Sequence, residues 1–137
     1  MPSHTTPPSL EDIVALADRA LESIPAHLAQ NVRALSIVVD DMADDETLDS
    51  MGMESGYDLT GLYRGVPMHL RSGNDPVREP DMILLFREPI LLEWIETGED
   101  LYRLVRNVLI HEVAHHFGFD DATIAELEAG YTRRPIH

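Results

Sequence analysis

The chain contains no cysteine, which excludes a disulfide framework and any thiolate metal site. It contains no lysine either. Its 10 basic residues are all arginine, against 25 acidic ones, for a formal charge of −15. So acidic a surface repels phosphate backbones and anionic lipid, and neither nucleic acid nor a membrane is expected as a partner. No apolar run approaches the ~18 residues that a membrane-spanning helix needs. The opening Met1-Pro2-Ser3-His4-Thr5-Thr6-Pro7-Pro8 lacks the basic and apolar regions of an export signal, so a cytoplasmic location is the expectation. A length of 137 residues suits one domain with one core. Residues 1–8 are expected to be disordered, 9–131 to form the domain and 132–137 to be a tail. No repeat or linker breaks the chain, and nothing in it sets an oligomeric state.

What is present begins with a helix start. Ser9 and Asp12 have the spacing of a capping box. Leu10, Ile13, Val14, Ala17, Leu21 and Ile24 then recur at helical spacing until Pro25. Residues 34–39 are apolar and β-branched, which predicts a buried strand. Residues 40–58 carry eight acidic side chains and no basic one, so a solvated loop is expected there. A calcium site is conceivable, but the oxygen spacing of an EF-hand is absent. Strands are expected at 58–63 and 66–71, joined around Arg64-Gly65 as a hairpin, and at Met82–Phe86. A short helix from Pro89 to Trp94 follows, and then a long one entered through a cap within Thr97-Gly98-Glu99-Asp100. A last helix is expected at 121–129, ended by Gly130.

The long helix carries His111-Glu112-Val113-Ala114-His115-His116-Phe117-Gly118-Phe119-Asp120-Asp121, which reads H-E-x-x-H-x-x-G-x-x-D. Residues four apart share a helix face with a rise of about 6 Å, so His111 and His115 can point two imidazoles at one ion. Glu112, beside the first, can take the proton of a water on that ion. Gly118 can adopt the left-handed conformation that ends a helix and turns the chain, returning Asp121 as a third ligand. The plainer reading is a surface helix with two solvated histidines and Asp121 capping the next helix. The added Gly and Asp at these offsets favour the metal reading.

Gly61-Leu62-Tyr63-Arg64-Gly65-Val66-Pro67 and Pro80-Asp81-Met82-Ile83-Leu84-Leu85-Phe86-Arg87, followed by the H-E-x-x-H-H-F-G run, resemble the bacterial minimal zincin-like metallopeptidases over residues 9–130. That resemblance implies an α+β fold, with a small mixed β-sheet packed on an active-site helix and flanked by further helices. It also implies Zn²⁺ held by His111, His115 and Asp121, with Glu112 as catalytic base and a peptide or protein as substrate. The chain departs from the larger metzincins, whose Met-containing turn lies downstream of the third ligand. Here the last methionine is Met82.

Other residues carry weaker signals. His116 lies about 100° around the helix from His115 and is expected to pack or hydrogen-bond behind the site rather than ligate. His69 reads as a partly exposed strand residue. Tyr131 is a candidate oxyanion donor, with packing of the C-terminus favoured over it. His4, His27 and His137 have no informative spacing, and Trp94, Tyr102 and Phe117 read as core. Met82–Phe86 or residues 66–71 could present an edge to an extended peptide, and a paired interior strand is the alternative. A zinc peptidase is the leading function. The alternatives are a zinc-binding, catalytically silent regulatory or partner-binding module and a hydrolase of small amides.

Overall fold

The computed structural model describes residues 6–24, 35–65 and 81–118, together with Ala122 and Ala125. Their order is α1 (Leu10–Glu22), β1 (Ser36–Asp40), α2 (Asp45–Met51), a 3-10 turn (Gly56–Asp58), β2 (Gly61–Arg64), β3 (Met82–Phe86), α3 (Arg87–Thr97) and α4 (Leu101–Phe117). The strands make one mixed sheet in the order β1-β3-β2. β3 runs parallel to β1, with Ile37 opposite Ile83 and Val39 opposite Leu85. It runs antiparallel to β2, with Leu62 opposite Leu84. This small α+β fold is the class that the sequence leads one to expect.

The continuous apolar run of β3 explains its central place, because a strand covered on both faces has no position for a polar side chain. Ile83 and Leu85 join α1 and α4 in the main core, beside Ile13, Ala17, Val105, Leu109 and Val113. Leu84 and Phe86, pointing the other way, pack with Ala43 and Leu59. Each fully buried aliphatic side chain stabilises the fold by roughly 1.5–3 kcal/mol. The seam between sheet and α4 is therefore what fixes the helix that bears the motif.

The expected capping box is present in α1. Ser9 Oγ accepts from the Asp12 N–H at 3.1 Å, and Asp12 Oδ2 accepts from the Ser9 N–H at 2.8 Å. At the other end, Ser23 Oγ donates to the Ala20 carbonyl at 2.6 Å and accepts from Arg106 Nε at 2.8 Å. A buried guanidinium on α4 is thereby tied to the end of α1. Arg87 does similar work at the start of α3: its Nε donates to the Pro8 carbonyl at 2.6 Å and its Nη1 to Asp41 Oδ1 at 3.2 Å.

One expectation fails within residues 40–58, which do not form a plain loop. Asp44 caps α2 by accepting from the Thr47 N–H at 2.8 Å, and Gly52, at φ 69°, ends it in the left-handed region. Asp45 and Glu46 occupy the first turn, where negative charge meets the positive end of the helix dipole. The acidic residues that suggest a solvated loop are thus the capping chemistry of a short helix. Smaller differences concern boundaries. The first strand is Ser36–Asp40 rather than 34–39, β2 begins at Gly61 rather than 58, and α3 spans Arg87–Thr97. The strand expected at 66–71 lies outside the described residues, as does the helix expected at 121–129 apart from Ala122 and Ala125, both helical. Among the described residues no helix is long and apolar enough to cross a membrane.

Candidate functional site

The motif occupies the last turns of α4. Asp100 starts this helix by accepting from the Arg103 N–H at 3.0 Å. Gly118 ends it at φ 69° and ψ 35°, its N–H directed to the carbonyls of Ala114 and His115. The glycine therefore turns the chain where the spacing requires it to turn. His111 and His115 are both exposed, one helical turn apart on one face, while Glu112, Val113 and Ala114 between them are buried. The negative end of the helix dipole lies in this same turn and favours a cation there.

Glu112 sits at the boundary between helix and sheet. Its Oε1 lies 3.3 Å from His115 Nδ1, with the Glu112 side chain 10% exposed and that of His115 63%. The Tyr63 backbone N–H donates to the same carboxylate. Burial holds the carboxyl above its ordinary value of 4.5, against the opposing pull of His115 and His111 and of the hydrogen bonds from Tyr63 and His115.

The strand register explains how a backbone amide reaches this group. The Phe86 N–H donates to the Thr60 carbonyl at 2.9 Å, which makes Thr60 and Phe86 a hydrogen-bonded pair. In an antiparallel ladder such pairs alternate. The main-chain groups of Leu62 and Arg64 then face β3, while those of Gly61 and Tyr63 face away from it, and the Tyr63 N–H reaches Glu112. Close approach also requires Gly61 itself. A Cβ at that position would lie 2.7 Å from Val108 Cγ1 and 3.4 Å from Glu112 Cγ.

His116 follows Glu112 by four residues and shares its inward face. Its Nδ1 is 3.2 Å from Asp81 Oδ2, with both side chains about 95% buried (5% and 4% exposed). The Tyr63 ring meets the His116 ring edge-on, centroids 5.7 Å apart. His116 thus packs behind the site, as its position on the helix suggests. Sequence reasoning did not identify Tyr63 or Asp81 as parts of the site. Their only signal is membership of the Gly-Leu-Tyr and Pro-Asp-Met segments.

The fold therefore brings together His111, Glu112 and His115. Asp121, the expected third ligand, lies outside the described residues, as do His69, Tyr131, His4, His27 and His137. Among the described residues no three His, Asp or Glu side chains form a group able to hold a metal. The donor chemistry nevertheless fits zinc. His115 turns Nδ1 toward Glu112, which leaves Nε2 as the nitrogen that could meet a metal, and His111 offers a second imidazole on the same exposed face. Imidazole nitrogens with one carboxylate oxygen are a zinc donor set. Trp94 and Tyr102 pack against the core, as expected.

A family model described as zincin-like metallopeptidase matches residues 32–131. That span contains the sheet, α4 and all four motif residues from His111 to Asp121. No curated protein matches the chain.

Proposed function

The chain belongs to the zincin-like metallopeptidase family, and from that premise we propose that it is a zinc-dependent peptidase with Glu112 as its general base. The observation that carries this reading is the Glu112 environment: a carboxylate buried against the sheet, hydrogen-bonded by a backbone amide and flanked by two exposed histidines. His111, His115 and Asp121 would hold the metal. Zinc supplies Lewis-acid activation of a water and of the scissile carbonyl when bound.

The protein's own groups account for the proton transfers. Burial raises the proton affinity of the Glu112 carboxylate against the opposing pull of the two histidines, which strengthens it as a base. Its carboxylate oxygen takes the proton of the attacking water and returns it to the leaving amine nitrogen. The Tyr63 N–H holds the carboxylate at the sheet edge between the two transfers.

Substrate placement follows from the sheet. Met82–Phe86 is an interior strand, paired on both sides, and so is not the peptide shelf. Among the described residues β2 is an edge; its Tyr63 N–H is taken by Glu112, so a peptide would pair through the other outward main-chain groups. An extended peptide pairing there would bring a scissile bond to the carboxylate.

Metal content tests the ligand assignment. Wild-type protein should hold about one zinc per chain after reconstitution, and His111→Ala, His115→Ala and Asp121→Ala should each lose most of it. Full zinc occupancy in the Asp121 variant would remove that residue from the site. Stoichiometric zinc without cleavage of any peptide in a library would favour the silent zinc-binding module.

A further inference from the structure

Glu112 and His116 stand one turn apart on the inward face of α4, and each meets β2 through the same residue. The Tyr63 backbone N–H reaches the Glu112 carboxylate, while the Tyr63 ring lies edge-on to His116. Behind them, Asp81 is fixed at the entrance of β3. Its backbone carbonyl accepts from the Ser36 N–H at 3.1 Å, and its carboxylate meets His116 Nδ1. Gly65 closes the group. Its φ of 151° is open to glycine and few other residues, and a Cβ there would strike the Asp81 carboxylate and lie 2.9 Å from Tyr63 Oη.

Apolar packing leaves a helix some freedom to roll or slide, because dispersion contacts have no direction. A buried polar contact fixes a separation more firmly, because it is strong where water is excluded and parting it strands two polar groups. The Asp81–His116 contact is such a constraint, placed one turn from Glu112. We propose that Asp81, His116 and Tyr63 are positioning residues: the Asp81–His116 pair sets the rotation and height of α4 against β2 and so keeps the Glu112 carboxylate on the Tyr63 N–H. The consequence for catalysis rests on the reading of Glu112 as general base. The positioning itself does not.

Amide hydrogen exchange at β2 tests the positioning without any need for turnover. The Tyr63 N–H faces Glu112, and the neighbouring Leu62 N–H faces β3, so the pair reports the two sides of one strand. Asp81→Ala leaves a buried histidine without its partner and is liable to unfold. The double variant Asp81→Leu/His116→Phe restores apolar volume without the polar contact. In a folded double variant the Tyr63 amide should exchange about tenfold faster than in wild type, with Leu62 changed by less than about threefold. With peptide substrate, the same variant should lower kcat about tenfold and leave KM within about twofold.

Unchanged Tyr63 protection in the folded double variant would overturn the proposal, as would a Tyr63 amide that exchanges freely in wild type. Equal acceleration at Leu62 and Tyr63 would also overturn it, since the pair would then serve general stability alone. A wild-type protein that cuts no peptide, beside a double variant that shows the selective Tyr63 effect, would refute the peptidase reading and support the positioning.

Discussion

Replacing Gly61 by alanine puts a methyl group where the structure has room for none. The new Cβ would lie 2.7 Å from Val108 Cγ1, about 1 Å inside the ordinary carbon–carbon separation of ~3.5–4.0 Å. Val108 cannot swing aside, because a β-branched side chain in a helix has one strongly preferred χ1 and this one is buried in the main core. The strand and the helix must therefore part. Overpacking of this kind costs about 1–3 kcal/mol. Alanine also restricts the unfolded chain, a gain of about 0.4–1 kcal/mol. The steric cost is the larger, leaving a net loss of about 1–2 kcal/mol and a Tm lower by roughly 4–8 °C. Thermal melts of metal-free protein measure it. A Gly61→Ala variant as stable as wild type would refute the close approach of β2 to α4. Val108→Ala in the same chain removes the clashing methyl, so the double-mutant cycle should show a favourable coupling of about 1 kcal/mol.

Three further outcomes follow from burial and charge. Leu85, fully buried in the central strand, should cost about 2–5 kcal/mol as Leu85→Ala in a denaturant titration, and a loss below ~1 kcal/mol would contradict its place in the core. Ser23→Ala withdraws an acceptor from the buried Arg106 guanidinium and should lower stability by about 1–3 kcal/mol; no change would mean that this bond does not tie α1 to α4. Glu112 has a raised pKa in the folded protein. Above its ordinary value of 4.5 the native state therefore holds more protons than the unfolded chain, and stability falls as pH rises through the folded value. Without metal, Glu112→Gln should then be more stable than wild type at about pH 7, and the difference should vanish near about pH 3.5. Paired melts at both pH values decide it, and a Gln variant that gains stability only in acid would reverse the assignment.

Much of this arrangement was legible in the residues. The helical spacing of Leu101, Leu104, Val105 and Val108 carries straight into His111-Glu112 and His115, and Gly118 ends the helix for a reason visible in its offset. The apolar run at Met82–Phe86 marked a strand, yet its central place was not legible, because strand order depends on pairings distant in the chain. α2 was hidden by its charge. Eight acids in residues 40–58 resemble a solvated loop, although Asp44 and Gly52 are ordinary start and stop signals. Tyr63 and Asp81 were beyond local pattern altogether. Their part in the site arises only when β2, β3 and α4 meet, and no spacing along the chain encodes that meeting.

Peptide cleavage by zinc-reconstituted protein, with zinc counted in the same samples, decides the role of Glu112 when wild type is set beside Glu112→Gln. The account predicts about one zinc per chain in both proteins and cleavage by wild type alone. A fully zinc-loaded Gln variant that cuts at the wild-type rate, or a fully loaded wild type that cuts nothing, would contradict it.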